Sequence, residues 1–296
     1  MIENNSNEIQ IIFPQQCGEN IDKYMTVLDL FNKSKDLSPI TIKFNCYNVN
    51  FITPFGLNLL SAMMYHHSIN SNKVLIILPF KKEVKKYLTD MGFFEAFNLS
   101  GINVVCNQRS TSVKLIRLDN INMSYLDEIS SWISYSSNIN IKEAEHLVKI
   151  NLRELIYNIF DHSQSKIGGY ICAQHYPRSS ELQLSIIDFG IGFYATLNPF
   201  YDNIKNHVDA ILMAVEEGIT SKNGTRGSGL PNIVGYLYNI GEIEIISNNG
   251  FWKSDINGKV ETRFLSQQLN GVLINLKINT RLIPNELEPI KDVWDG

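Results

Sequence analysis

Four short segments, always in this order, constrain the fold of this chain more than any other feature: Arg153-Glu154-Leu155-Ile156-Tyr157-Asn158-Ile159-Phe160-Asp161-His162, Asp188-Phe189-Gly190-Ile191-Gly192, Gly227-Ser228-Gly229-Leu230 and Gly271-Val272. The first belongs to a predicted helix from about Ile141 to His162. Its Val148, Leu152, Leu155 and Ile159 form an apolar stripe, while Glu154, Asn158 and Asp161 follow i, i+4, i+7 spacing on a different face. The second segment ends an apolar strand, Leu182 to Ile187, with an aspartate and two glycines. The third is a glycine loop feeding a helix in which Pro231 suits the first turn. Taken singly, each has a plain reading: a charged helix face, a turn after a strand, a loop.

Together they suit the chemistry of a nucleotide. An Asn amide oxygen one turn from a carboxylate can hold magnesium while the carboxylate orients a water or hydroxyl for in-line attack. A strand-end Asp can accept a hydrogen bond from an exocyclic amine, and the glycines let the backbone approach a base. A glycine loop at a helix N-terminus offers N–H groups and a favourable dipole to phosphate. Lys222 and Arg226 are candidate phosphate partners, with a solvated basic loop as the plain alternative.

The 296 residues allow two ordinary domains. Apolar content of 44% and charged content of 19% suit a folded globular chain, and a net charge of −4 provides no global field for nucleic acid. Nucleic acid is therefore not an expected partner. No apolar run is long enough to span a bilayer, and the polar, acidic start does not resemble a signal peptide. Cys17, Cys46, Cys106 and Cys172 are scattered without a CxxC pair, so a zinc site is not expected; reduced thiols fit a cytoplasmic protein.

The first hundred residues alternate between strand and helix: strand-like Ile40 to Phe44, an apolar helix Gly56 to His66 after a turn at Pro54, strand Val74 to Leu78, and an amphipathic helix Phe80 to Met91 ended by Gly92. Ile102 to Cys106 and Val113 to Leu118 are expected to add strands, giving an α/β domain with a partly parallel sheet. Asn140 is a plausible N-cap, with Glu143 three residues on. Asp209 to Glu217 reads as a helix within a long connection, Phe193 to Arg226. Glu242 to Ile278 reads as antiparallel strands with turns at Asn248-Asn249-Gly250, Asn257-Gly258 and Asn270-Gly271.

The four segments, in their order, resemble the GHKL ATPases, the Bergerat-fold superfamily that includes DNA gyrase, MutL, histidine kinases and the anti-sigma-factor serine kinases. The resemblance implies ATP and Mg2+ as cofactors. It makes Glu154 the general base, Asn158 the magnesium ligand and Asp188 the adenine-recognising acid, with Asp161 and His162 matching acidic and histidine positions of different branches. Gly190, Gly192, Lys222, Arg226, Gly227, Ser228, Gly229, Leu230 and Gly271 complete the nucleotide-binding set, with Phe193 to Arg226 as the lid. The family places a Gly-Thr on a late strand; here Val272 follows Gly271, so a hydroxyl that supports the adenine contact is missing.

Residues 8–97 resemble a STAS domain, through their order and the Phe51-Ile52-Thr53-Pro54-Phe55-Gly56-Leu57 turn before a helix. Switch members of that family carry Asp-Ser-Ser-Gly where this chain has Thr53-Pro54-Phe55-Gly56, so the phosphoacceptor position is occupied by Phe55, which has no hydroxyl. The expected organisation is a STAS-like α/β domain over 1–115 followed by a two-layer α/β sandwich, the GHKL ATP-binding domain, over 116–296.

The resemblance implies a Mg-ATP-dependent regulator and leaves its chemistry open: a serine/threonine kinase or partner-switching module acting on a STAS or sigma-factor-like partner, an ATPase using nucleotide binding and hydrolysis as a conformational switch, or a binding module without catalysis. A histidine kinase is the least favoured, because His66, His67 and His146 lack the context of a dimerising helix pair. A homodimer stays open.

Overall fold

The computed structural model describes residues 8–97, 106–118, 123–147, 152–153, 155–157, 163–216 and 229–283. In chain order these form β1 (Glu8–Ile12), β2 (Gln16–Cys17), α1 (Met25–Ser34), β3 (Thr41–Asn45), β4 (Phe51–Ile52), α2 (Pro54–Ile69), β5 (Lys73–Ile77), α3 (Lys82–Asp90) and α4 (Phe93–Ala96). There follow β6 (Ser112–Leu118), α5 (Met123–Ser137), α6 (Ile141–Glu145), β7 (Gly169–Tyr176), β8 (Glu181–Asp188), α7 (Gly192–Leu197), α8 (His207–Ala214) and α9 (Gly229–Leu237). The last strands are β9 (Gly241–Ser247), β10 (Gly250–Ser254), β11 (Val260–Phe264) and β12 (Val272–Asn279). The architecture is mixed α/β. Among the described residues no helix is long and apolar enough to cross a membrane.

Strands β1, β3 and β5 pair in parallel, in that order, and β2 pairs in parallel with β4. The larger sheet runs β11-β10-β9-β12-β8-β7-β6 and every pairing in it is antiparallel. The strand at Val113 to Leu118, expected to extend the first sheet, instead forms an edge of this second one against β7. Its Leu115 N–H donates to the Met91 carbonyl at 2.8 Å, which ties this edge strand to the end of α3. The strand expected at Ile102 to Cys106 lies almost wholly outside the described residues.

Strand alternation gives the large sheet two faces. On one, Ile171, Leu184, Ile186, Ile245, Trp252, Ile274 and Leu276 share a core with Leu126, Ile129, Leu155, Ile156 and Ile233 from the helices. On the other, Tyr170, Cys172, Ile187, Leu273, Ile246 and Phe251 join the core of the N-terminal elements. The helix that lies between this second face and the parallel N-terminal sheet is α2. Residues 54–64 are all buried, with apolar side chains on every side, as a helix enclosed between two layers requires.

One polar residue seats α2 on the sheet. Asn58, fully buried, donates to the Ser185 carbonyl at 2.7 Å and accepts from the Cys172 thiol at 3.3 Å. Each of the buried Leu57, Leu60 and Met63 side chains contributes about 1.5–3 kcal/mol by leaving water. Phe55 is likewise fully buried and packs against Tyr24, with ring centroids 5.7 Å apart. His67 is buried beside Ser34 and Asn72, and burial pushes its imidazole down to about 4. It is a neutral core residue.

Candidate functional site

The site is built at the end of the large sheet where Gly169, Asp188, Val272 and Ser247 stand side by side on four neighbouring strands. Asp188 is the last residue of β8 and is 4% exposed. Its parity along the strand matches Leu184 and Ile186, so it sits on the helix-covered face. Its Oδ1 accepts the Gly190 N–H at 2.7 Å. Burial pushes the carboxyl from 3.8 up to about 7, against the opposing pull of the Gly190 and Val272 backbone N–H groups. Near neutrality this group is therefore poised between acid and carboxylate, and a further donor at its free oxygen would favour the ionised form.

The glycines around it are there for space as well as conformation. Gly271 has φ of +92°, and a Cβ there would lie 2.3 Å from the Asp188 carbonyl oxygen and 2.7 Å from its Oδ1. A Cβ at Gly190 would lie 2.0 Å from the Ser163 carbonyl oxygen. At Gly192, with φ of +76°, the obstacles would be Asn248 Oδ1 at 2.1 Å and Ser247 Oγ at 2.9 Å. Gly271 thus closes on the β8 backbone, Gly190 on the Ser163 carbonyl and Gly192 on the Ser247 and Asn248 side chains, approaches that a Cβ would block.

Four residues that the sequence reading passed over lock this corner. The Ser163 carbonyl accepts from Ile191 N–H at 2.8 Å, and Ser165 Oγ accepts from Phe189 N–H at 3.3 Å. Ser247 Oγ accepts the Phe193 N–H at 2.9 Å, and Asn248, with φ of +53°, donates its N–H to the Gly271 carbonyl at 3.1 Å. Asn248 Oδ1 is buried beside Gly192 without a hydrogen-bond partner. Only Asn248 carried a sequence signal, as part of the Asn-Asn-Gly turn; the serines carried none. Val272 is 9% exposed and presents methyl groups next to Asp188, so no side-chain hydroxyl at this position supports the carboxyl.

Of the expected site residues, the structure brings Asp188, Gly190, Gly192 and Gly271 together. Gly229 and Leu230 begin α9, and Leu230 is buried in the core beneath the helices, so its side chain is structural. Glu154, Asn158, Asp161, His162, Lys222, Arg226, Gly227 and Ser228 lie outside the described residues. Around the first two, Leu152, Leu155 and Ile156 are buried in the helix-side core, the same core to which Leu184 and Ile186 of β8 belong. Among the described residues no group of three His, Cys, Asp or Glu side chains is placed to hold a metal.

Over its described part the expected lid carries two helices, where the sequence predicts one at Asp209 to Glu217. Gly192 leads directly into α7, and α8 follows, capped by Asn206, whose Oδ1 accepts the Asp209 N–H at 2.9 Å. Leu197, Ile204 and Ala210 give this helical pair a small core of its own. Residues 217–228 lie outside the described part.

No protein-family model matches the chain, and no curated protein matches it. A solved structure described as the topoisomerase IV ATP-binding domain of Francisella tularensis, in complex with a small-molecule inhibitor, is similar at 14% identity with a TM-score of 0.30. The similarity covers 62% of this chain and 46% of that one, so the match spans less than half of the solved chain's length.

Proposed function

We propose that this protein binds adenine nucleotide with magnesium and acts as a regulator. The observation that carries the reading is the buried Asp188 carboxyl, held at a strand end by the Gly190 N–H against a backbone at Gly271 that leaves no room for a Cβ. A single acid so placed suits an exocyclic amine donor, and the glycines let the surrounding chain close around that acid and fix it. The donor set fits the adenine end of the ligand. Asn158 and Glu154 are the residues that would hold magnesium and orient the nucleophile, and the metal would supply charge neutralisation at the phosphates.

Within that reading, a kinase-like partner switch acting in trans is favoured over a self-contained phosphorylation cycle. If the N-terminal α/β unit is STAS-like, its phosphoacceptor position is Phe55, which is fully buried and has no hydroxyl. A phosphoryl group would then have to go to another protein. The same buried contact, α2 enclosed between the two sheets, suits the alternative of an ATPase whose nucleotide state is felt by the N-terminal unit.

The test is to follow the γ-phosphate of labelled Mg-ATP, comparing wild type with Glu154→Ala and Asp188→Asn. Label on an added partner supports the kinase; free phosphate released only by wild type supports the ATPase. Failure of wild type to bind ATP or ADP at millimolar nucleotide with magnesium would overturn the reading.

A further inference from the structure

A cavity lies on the face of the large sheet opposite Asp188, where the N-terminal unit stops covering it. Towards the Asp188 end that face is apolar, but towards the other end it carries Glu242 and Glu244 from β9, Lys253 from β10, Arg263 from β11, and Asn275 and Lys277 from β12. The 3-10 turn at Ile21–Tyr24 and the loop before it close the cavity with Glu19, Asn20 and Asp22. The cavity is partly open to solvent and has a volume of about 370 Å³, within the range of small-molecule sites.

Five acidic side chains face three basic ones, with Arg263 shared between Asp22 and Glu261, and Glu244 at the centre is the acid left outside the pairs. Lys253 pairs with Glu242 at 2.7 Å, Arg263 with Asp22 at 2.8 Å, and Lys277 with Glu19 at 3.6 Å. Arg263 also lies over the Phe251 ring, 4.3 Å from its centroid, which fixes the guanidinium on the wall. Among the described residues Glu244 has no ion-pair partner of its own, and its Oε1 is buried with no hydrogen-bond donor. Directly opposite it across the β9–β12 ladder stands Asn275, 3% exposed, whose Oδ1 is also buried and without a donor.

Two adjacent acceptors, buried and unsatisfied, are costly to leave so. What they lack is a directed donor: a ligand with several N–H groups supplies it, and its positive charge favours the ionised form of Glu244, whose carboxyl burial otherwise pushes up to about 8. An anion would meet the surplus acid and find its cationic partners already taken. We propose that this cavity is a binding site for a small organic ammonium ion, whose N–H groups donate to Glu244 Oε1 and Asn275 Oδ1. Because the walls come from both the N-terminal turn and the sheet, the bound cation would tie the two together. The site does not depend on nucleotide binding.

The probe is 1,4-diaminobutane titrated calorimetrically into the full chain, with tetramethylammonium, which has charge but no N–H donor, as the matched control. Saturable binding of the diamine that is at least ~10-fold tighter than tetramethylammonium is expected, the scale of one charge-assisted hydrogen bond. Glu244→Gln, isosteric and neutral, should weaken the diamine by ~10-fold or more, and Asn275→Leu should do so by a smaller factor. The diamine should also raise the melting temperature of wild type and not of Glu244→Gln. Equal binding of the two cations, binding unchanged in Glu244→Gln, or no binding at tens of millimolar would overturn the proposal. The comparison of the two cations needs no variant and so does not depend on any variant folding.

Discussion

Asp188 and Glu244 are two carboxyls on one sheet, on opposite faces, and burial raises both: Asp188 to about 7 and Glu244 to about 8. Their partners differ in kind. Asp188 is held by backbone N–H groups from Gly190 and Val272, fixed by the chain path itself. Glu244 is surrounded by side chains: Lys253, Lys277 and Arg263 lower its pKa, Glu19 raises it, and Asp22, Glu242 and Glu261 complete the lining. Backbone donors specify a geometry that glycines must then permit. Side-chain charges specify only a field, leaving an oxygen such as Glu244 Oε1 without a directed partner.

The sharpest way to break the comparison is Gly271→Ala. The new Cβ would meet backbone at 2.3 Å and Asp188 Oδ1 at 2.7 Å, at a φ of +92° that alanine rarely adopts. A loss of about 3–5 kcal/mol in denaturant unfolding is expected, as for other clashes at strained backbone. Nucleotide affinity should fall with it. A loss below about 1 kcal/mol would show that the corner relaxes easily and that the backbone does not fix Asp188.

Asp188→Asn separates binding from folding. The folded pKa lies above the ordinary 3.8, so the folded chain keeps a proton that the unfolded chain has lost between 3.8 and about 7. That contribution is complete below the lower value and is lost as pH rises through the upper one. Across this window wild type should lose up to ~4 kcal/mol relative to Asp188→Asn, from 1.36 kcal/mol per pKa unit. Adenosine binding should weaken by ~10–100-fold in the variant, the scale of a hydrogen bond to a charged group. In wild type it should weaken as pH falls below about 7, because the neutral acid no longer accepts from the amine as strongly. Adenosine is the probe because it has no phosphate titrating in that range. Flat stability difference across the window would mean that Asp188 is ionised throughout.

How much of this was legible in the sequence follows the same division. The Asp188 corner was readable because strand, aspartate and glycines are contiguous, and glycine marks positions where backbone approaches backbone. The helix at 207–214 and the antiparallel tail were readable from periodicity and Asn-Gly turns. Strand β6 was assigned to the wrong sheet, because its apolar run says that it is a strand but not which edge it joins. The Glu244 cavity was invisible: Glu19 and Lys277 meet only through the fold, more than two hundred residues apart. One clue was present and passed over. An apolar helix with no polar face, residues 54–64, must be covered on both sides, and that already implied a second layer against the sheet.

Glu244→Gln tests the softer side of the comparison. Its window runs from 4.5 to about 8, and the sign is the same: stability is complete at low pH and lost as the carboxyl ionises. The neighbouring Lys253, Lys277 and Arg263 favour the ionised form, and the side chains can rearrange around it. The variant should therefore gain only about 1–2 kcal/mol over wild type near the upper end of that window. A gain as large as that of Asp188→Asn would mean that side-chain cations screen no better than a fixed backbone.

Gly235→Ala calibrates the whole series with the smallest effect. Gly235 lies in α9, on the exposed side of the helix, and a Cβ there would meet nothing within 4 Å. Alanine should stabilise by about 0.5–1 kcal/mol through helix propensity and the lower entropy of the unfolded chain. Against the expected loss at Gly271, this opposite sign would show that glycine is required where strand ends meet Asp188 and is dispensable within α9. If Gly235→Ala destabilised the chain and Gly271→Ala did not, the demand for glycine would belong to the helix, and the case for a backbone-built site at Asp188 would fail with it.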